Sequence, residues 1–250
     1  MKQKIGIGIL VALVIAWFAC NNNKPDEISN TPSLPPIPLI NYSVTAFLPH
    51  DTSLFTEGFL MHDGKLYEST GSPEDLPATK SMIGVSSLST GKFDKKIELD
   101  RRLYFGEGIV FLNNKLYQLT YKNKTGFIYD AKTFKNIGSF TYNNTEGWGL
   151  TTDGKEIIMS DGTDALTFIN PANMQPSRVL HVTENGAAVS YLNELEYING
   201  FIYANLWTTN FIVKINPENG NIVSKLDLSS LVSEARAKNP YADVLNGIAY

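Results

Sequence analysis

The segment GEGIVFLNNKLYQLT at residues 106–120 indicates the fold, because its pattern recurs along the chain. Two apolar runs rich in β-formers flank a pair of turn-forming residues, which is the pattern of a β-hairpin. Three further copies are TEGFLMHDGKLYEST at 56–70, EGWGLTTDGKEIIMS at 146–160 and NELEYINGFIYANLW at 193–207. A fifth copy begins with NGIAY at 246–250, where the sequence stops.

The spacing of these hairpins indicates the architecture. They recur every 40 to 50 residues, and further strand candidates follow each one, as in FIVKINPENGNIVSKLDL from Phe211. Repeats of this length with several strands are typical of propeller blades, whose two apolar faces are covered only within a ring. Five starts therefore predict an all-β, five-bladed β-propeller, with a strand at 42–48 closing the ring. A stacked solenoid and a β-sandwich are the alternatives, and Ser229–Lys238 is the one helix candidate.

Bulk composition excludes several classes of protein. With 43% hydrophobic and 18% charged residues, the 250-residue chain can form a packed core. A net charge of −4 gives no basic surface for nucleic acid. The single cysteine permits no intrachain disulfide, and the three histidines stand apart from it, so no zinc-site spacing is present.

The N-terminal segment has the features of an export signal. Residues 1–20 carry two early lysines, then an apolar run too short for a comfortable membrane span, and end in Ala19-Cys20. This segment resembles a bacterial lipoprotein signal, in which the cysteine is lipidated, although Trp17 and Phe18 stand where that signal usually has Leu and a small residue. An ordinary signal peptide or an uncleaved anchor is the alternative. We expect an exported, membrane-anchored protein facing the periplasm or cell exterior.

The rest of the chain divides into two parts. Residues 21–38 are rich in Asn, Pro and Ser and are interpreted as a flexible tether. Residues 39–250 are interpreted as the propeller domain, truncated in its last blade.

Carboxylates flanked by glycines mark the start of the repeats. Glu57, Glu107 and Glu146 each stand next to glycine on strands expected to line the central channel, and Asn193 and Glu194 occupy the equivalent place in the fourth copy. Glycine weakens a strand but lets another group approach closely. Convergence of acids and aromatic residues at a channel mouth favours a small-molecule site. The structural alternative is that a given glutamate caps backbone amides or bonds across blades.

These motifs resemble those of the plant and bacterial glutaminyl-peptide cyclotransferases, the papaya-type family. The resemblance covers residues 42–250 and rests on eight segments in order: FTEG at 55–58, YESTG at 67–71, YFGEG at 104–108, EGWGL at 146–150, SDGT at 160–163, LNELEY at 192–197, ANLW at 204–207 and LNGIAY at 245–250. It implies a five-bladed fold and conversion of an N-terminal glutaminyl residue into pyroglutamyl, with release of ammonia. It also implies that no metal or other cofactor takes part.

The resemblance implies a role for particular residues. Glu107 would be the general acid and base that moves a proton from the attacking amine to the leaving nitrogen. Asn193 would hydrogen-bond the substrate carboxamide. The remaining expected substrate-binding residues are Phe55, Glu57, Phe105, Tyr121, Trp148 and Trp207.

Three departures from the family pattern bear on activity. The family usually has glutamine at the position of Glu57, and a second carboxylate near Glu107 would raise the pKa of one of the two. It usually has tryptophan at the position of Tyr121. Family members also continue past NGIAY into a Thr-Gly-Lys segment whose lysine reaches the site, and these 250 residues have no counterpart of it.

Two other functions remain open on the sequence. One is a binding propeller that kept the fold without the chemistry. The other is a calcium-dependent propeller hydrolase, in which Glu57, Glu107, Glu146 and Asn193 would supply oxygen ligands. For the cyclotransferase we expect a monomer acting on peptides or proteins with flexible N-termini that begin with glutamine.

Overall fold

Four hairpins, each at the head of a four-stranded antiparallel sheet, build the protein in the computed structural model, which describes residues 35–250. The predicted signal peptide, its Cys20 and most of the predicted tether lie outside the described residues. Each sheet is a simple meander, with its strands hydrogen-bonded in sequence order.

The four sheets are the blades of a propeller. Their strands are β1 (Thr56–His62), β2 (Lys65–Thr70), β3 (Met82–Ser86) and β4 (Phe93–Glu98) in blade 1; β5 (Gly106–Leu112), β6 (Lys115–Thr120), β7 (Thr125–Asp130) and β8 (Asn136–Thr141) in blade 2; β9 (Leu150–Thr152), β10 (Ile157–Met159), β11 (Ala165–Asn170) and β12 (Gln175–His181) in blade 3; and β15 (Leu192–Ile198), β16 (Phe201–Leu206), β17 (Phe211–Ile215) and β18 (Ile222–Asp227) in blade 4. A small hairpin, β13 (Thr183–Glu184) and β14 (Ala187–Ala188), links blades 3 and 4.

The turn dipeptides set the hairpins. Asp63 and Gly64 both have positive φ, at 47° and 70°, and Asn113 and Asn114 have φ of 53° and 58°. Two successive positive φ values are the requirement of the type I′ turn, which matches the twist of paired strands and favours Asn, Asp and Gly. The tight turns predicted from these dipeptides are confirmed.

Burial between blades explains why the repeat is needed. One apolar cluster lies between blades 1 and 2, around Ile83 and Leu116, and a second between blades 2 and 3, around Leu119 and Ile157. A third lies between blades 3 and 4, around Phe168 and Val213. Because each cluster is shared by two sheets, no blade buries its apolar faces alone.

The inner strands β1, β5, β9 and β15 contact one another in ring order, and β15 returns to β1. The glycines of the repeats permit this contact. A Cβ on Gly108 would lie 2.5 Å from the backbone nitrogen of Leu150, and one on Gly149 would lie 2.3 Å from the carbonyl oxygen of Asn193. The close approach predicted for these glycines is therefore made by the neighbouring inner strand.

The predicted all-β propeller is confirmed, but the predicted number of five blades is wrong, because the described residues form four. The segment NGIAY at 246–250 forms no strand within the described residues. Side chains of blade 4 hold it instead: Gly247 N donates to Asn205 Oδ1 (3.1 Å) and Ile248 N donates to Glu194 Oε2 (2.8 Å).

The predicted closing strand at 42–48 is also wrong. These residues form no strand and are exposed. The described residues contain no fifth four-stranded sheet whose edge they could join. The chain instead meets the outer edge of blade 4 just before them, where Ile40 N donates to the carbonyl of Lys225 (2.7 Å) and Lys225 N donates to that of Pro38 (3.0 Å).

The helix predicted at Ser229–Lys238 is present with these bounds, and we call it α1. Within the described residues, no helix combines the length and the apolar character needed to cross a bilayer.

Candidate functional site

A cavity of about 800 Å³ opens at the end of the ring where the inner strands begin. It is lined by all eight residues that the sequence analysis singled out for catalysis and substrate binding: Phe55, Glu57, Phe105, Glu107, Tyr121, Trp148, Asn193 and Trp207. They come from all four blades.

Glu107 is the deepest carboxyl of the cavity. It lies near the start of β5 and is only 4% exposed, and its carboxylate has no hydrogen-bond partner among the described residues. Burial raises the pKa of Glu107 well above its usual value, and the nearby Glu57 and Glu146 raise it further. The flanking glycine on the N-terminal side is required by packing, because a Cβ on Gly106 would lie 2.8 Å from the carbonyl oxygen of Thr70. A buried, unpartnered carboxyl with a raised pKa suits proton transfer to a bound molecule.

Glu57 supplies the second buried carboxyl, and it is 9% exposed. Burial and the charge of Asp243 raise its pKa to about 8, although a hydrogen bond from Asn246 acts in the opposite direction. The sequence predicted a raised pKa for one of the two carboxyl groups. In the structure the pKa values of both Glu57 and Glu107 are raised.

Asn246 joins the two ends of the ring at the cavity. Its Nδ2 donates to Glu57 Oε2 (3.1 Å) and to the carbonyl oxygen of Thr56 (3.1 Å). Its Oδ1 accepts from Asn193 Nδ2 at 3.2 Å. One amide side chain thus fixes a residue of blade 1 against a residue of blade 4.

Two tryptophans form one wall of the cavity. The rings of Trp148 and Trp207 meet edge to face, with centroids 5.6 Å apart. Trp148 Nε1 donates to Glu146 Oε2 at 2.9 Å, which fixes the indole orientation. Gly162 lies against this ring, and a Cβ there would approach Trp148 to 2.6 Å.

A second group of aromatic rings also lines the cavity. The ring centroid of Phe105 lies 6.3 Å from that of Phe55 and 5.7 Å from that of Tyr121. Gly71 makes room for Phe105, since a Cβ on it would lie 2.2 Å from the ring. Lys122 Nζ lies 4.4 Å above the ring of Tyr121 and 3.7 Å from Glu146 Oε1, at the edge of this group. Flat aromatic rings suit the planar carboxamide and alkyl stem of a small side chain.

Two other glutamates of the repeats have structural partners. Glu68 accepts hydrogen bonds from His50 Nε2 (2.9 Å), Thr56 Oγ1 (2.6 Å) and Ser86 Oγ (2.5 Å), and the hydrogen bond to Glu68 raises the pKa of His50. Glu194 accepts from the backbone of both Phe59 (3.1 Å) and Ile248 (2.8 Å). The structural interpretation, bonding across blades, therefore holds for Glu194, while Glu57 and Glu107 face the cavity.

Sequence reasoning missed several lining residues. Gly162 and Asn246 fall within the SDGT and LNGIAY motifs. These motifs marked the two positions as part of the family pattern but did not indicate what either residue does. Tyr191, whose ring lies 5.9 Å from that of Trp207, and Asp243 gave no signal, because neither stands at a repeated position.

The positions of the charged side chains bear on whether the cavity could hold a metal ion. Within residues 35–250, no three His, Cys, Asp or Glu side chains converge closely enough to hold a metal ion. The carboxylates of the predicted calcium set, Glu57, Glu107 and Glu146, share the cavity without forming such a cluster.

Comparison with known proteins adds independent evidence. The sequence model of the glutamine cyclotransferase family matches residues 10–250. A glutaminyl-peptide cyclotransferase of Arabidopsis thaliana is 39% identical over 210 residues, which is 83% of this chain and 63% of that protein. The chain therefore spans less than two thirds of the length of this relative.

Solved structures agree with the sequence matches. The crystal structure of Myxococcus xanthus glutaminyl cyclase superposes with a TM-score of 0.72 at 33% identity, covering 81% of this chain and 83% of that one. The crystal structure of a nidogen/laminin complex superposes with a TM-score of 0.55 at 14% identity, covering 85% of this chain and 92% of that one, a likeness of fold alone.

Proposed function

This chain belongs to the glutamine cyclotransferase family, and we propose that it converts an N-terminal glutaminyl residue into pyroglutamyl with release of ammonia. The observation that carries the proposal is the carboxyl of Glu107. It is buried and without a hydrogen-bond partner among the described residues, and it lies in a cavity with aromatic walls. Such a group is available to a substrate and to little else.

The reaction needs orientation above all. The α-amine attacks the side-chain carboxamide carbon of its own residue, a C–N bond forms, and the bond to the carboxamide nitrogen breaks. Both reacting groups belong to one residue, so a pocket that folds the side chain back lowers the entropic part of the barrier. Orientation of this kind can lower a barrier by ~7–11 kcal/mol at most. The aromatic rings around Trp148 and Phe105, which line the same cavity, would impose that folded shape.

Glu107 would carry out the proton transfers of this reaction. The attacking nitrogen must lose a proton, and the departing nitrogen must gain one to leave as ammonia. A single carboxyl can accept the first and donate the second. Burial raises the pKa of Glu107, so its carboxyl holds a proton more readily than an ordinary glutamate, which suits a group that must donate one to the leaving nitrogen.

Asn193 would stabilise the negative charge that develops on the carboxamide oxygen. Its Nδ2 donates a hydrogen bond to Asn246 Oδ1 (3.2 Å) at the cavity wall. An amide donor held in place beforehand needs little reorganisation when the charge appears, which is the requirement for this kind of stabilisation.

We further propose that the protein is exported and anchored through Cys20, on the strength of residues 1–20 alone. Its substrates would be peptides and proteins with flexible N-termini, because a pocket at the mouth of the ring admits a chain end more easily than a folded surface.

The test is ammonia release from a dipeptide that begins with glutamine, measured with and without a metal chelator. Turnover that resists the chelator supports the proposal. Turnover lost with the chelator would favour the calcium-dependent hydrolase. No turnover, with binding of the dipeptide retained, would indicate a propeller that binds without catalysis.

A further inference from the structure

We propose that the cavity selects peptides in which a basic residue follows the N-terminal glutamine, and that Asp243 is the residue that determines this preference. The inference rests on the proposed function and names the substrate class of the same site.

The cavity lining is acidic. Among the described residues it contains no lysine or arginine but five carboxyl groups, Glu57, Glu107, Glu146, Asp161 and Asp243. Burial raises the pKa of Glu57 and of Glu107 and favours their neutral form, so the negative charge of the lining rests on Glu146, Asp161 and Asp243. The one basic lining residue, His50, is engaged with the buried carboxylate of Glu68 at 2.9 Å. A cavity with walls of one sign concentrates ligands of the opposite sign.

The carboxyl groups differ in which neighbouring groups offset their negative charge. Glu146 has the ammonium of Lys122 3.7 Å away. Asp161 accepts hydrogen bonds only from uncharged donors, including Asn144 Nδ2 at 2.8 Å. Asp243 accepts one bond, from the backbone nitrogen of Val244 at 2.9 Å, and no cation of the described residues lies within 4 Å of it.

The depth of these groups assigns them to different parts of a peptide. Glu107 and Glu57 are buried at the inner end, where the glutamine would react, and the unpartnered carboxyl of Glu107 faces the space a ligand would fill. Asp243 is exposed but also lines the cavity, so it stands between the reacting residue and solvent. That is where the next residue of the peptide would lie.

The size of the cavity supports a contact with that next residue. About 800 Å³ lies in the upper part of the ~300–1,000 Å³ range of pockets that enclose drug-sized ligands. The cavity is therefore larger than one glutamine needs. A lysine or arginine at the second position can place its charged end near Asp243 while its alkyl stem contacts the walls.

The experiment compares Gln-Lys-amide with Gln-norleucine-amide, which has the same alkyl stem without the ammonium group. We expect kcat/KM to favour the lysine peptide by about threefold to fivefold at low salt, the upper part of the range for one exposed ion pair. The ratio should fall below about twofold in 0.5 M NaCl and in Asp243→Asn. Asp63→Asn is the matched control, because it removes the same charge from the β1–β2 turn, outside the cavity lining, and should leave the ratio unchanged.

A binding measurement separates this inference from the proposed function. Dissociation constants of the same two peptides are measured by calorimetry on Glu107→Gln, with and without Asp243→Asn. A preference for lysine that disappears with Asp243→Asn supports the inference, even if the wild-type protein turns over neither peptide. Such a lack of turnover would contradict only the proposed function. Equal constants for the two peptides, or a preference that survives Asp243→Asn, overturn the inference.

Discussion

The amide nitrogen of Asn246 lies 3.1 Å from Glu57 Oε2, although the two residues are 189 positions apart in the chain. The same side chain accepts a hydrogen bond from Asn193. The junction between the last blade and the first is therefore made at the candidate active site, by a residue of the segment that follows α1.

Replacing Asn246 tests whether this junction positions the reacting groups. Asn246→Ala removes two donated hydrogen bonds and one accepted bond, so we expect the free energy of unfolding to fall by about 1–3 kcal/mol. We expect kcat to fall about tenfold while KM changes less, since Glu57 and Asn193 lose their relative placement. Asn173→Ala, which removes an exposed turn hydrogen bond, is the control. A purely structural role would lower stability and leave kcat intact.

Glu107→Gln should abolish catalysis without harming the fold. Glutamine keeps the shape of the side chain but cannot shuttle a proton, so we expect kcat to fall by about 10²–10⁴-fold. The melting temperature should be unchanged or higher, because a buried carboxyl without a partner is removed. Glu218→Gln, at an exposed turn position, should change neither quantity. Residual activity within a few fold of wild type would exclude Glu107 as the proton carrier.

Glu57→Gln should shift the pH dependence of the enzyme. The charge of Glu57 raises the pKa of Glu107, so its removal should move the carboxyl limb of the kcat/KM profile to lower pH. An unchanged profile would show that the two carboxyls titrate independently.

The same variant should alter the pH dependence of stability. The pKa of Glu57 is about 8 in the folded protein, against 4.5 as its ordinary value, so the folded state holds the proton more tightly. Its contribution to stability is complete below pH 4.5 and is lost as pH rises toward 8, by at most about 1.4 kcal/mol per pH unit. Unfolding by urea at pH 5 and pH 8.5 should therefore show Glu57→Gln gaining stability relative to wild type at the higher pH.

Gly162→Ala should damage the tryptophan wall specifically. Its Cβ would lie 2.6 Å from the ring of Trp148, and Gly162 also has a φ of 79°. Gly186→Ala provides the matched control, because it has a φ of 83° with no atom within 4 Å of the added Cβ. Both variants should lose about 1 kcal/mol from backbone strain. Only Gly162→Ala should raise KM, and an equal KM in the two would show that Trp148 tolerates displacement.

Much of the fold could be predicted because the hairpins are local. Turn pairs such as Asp63-Gly64 and the alternating strands around them specify each blade from nearby residues alone, and α1 was predicted at its observed bounds. The number of blades and the role of 42–48 depend on which strand edges find partners, and the residues from 246 to 250 pair with no second strand among the described residues.

The site residues that could be predicted from the sequence are those at repeated positions of the hairpins. Glu57, Glu107 and Trp148 occupy equivalent places at the start of inner strands, so the ring brings them together. The position of Asn246 over Glu57 could not be predicted, because it depends on how Glu194 and Asn205 hold the following backbone. Nor could the sequence distinguish a glutamate facing the cavity from one bonding across blades, since both stand in similar motifs.

The edge-to-face contact of Trp148 and Trp207 gives the protein an optical reporter of its own. The chain has three tryptophans, and these two share one cavity wall, with ring centroids 5.6 Å apart. Indole emission is sensitive to the polarity around the ring, and coupled rings this close produce a distinct near-ultraviolet circular dichroism signal. A peptide entering the cavity would displace water from both indoles at once. Occupancy of the cavity could then be followed in unlabelled protein, even for ligands that never react.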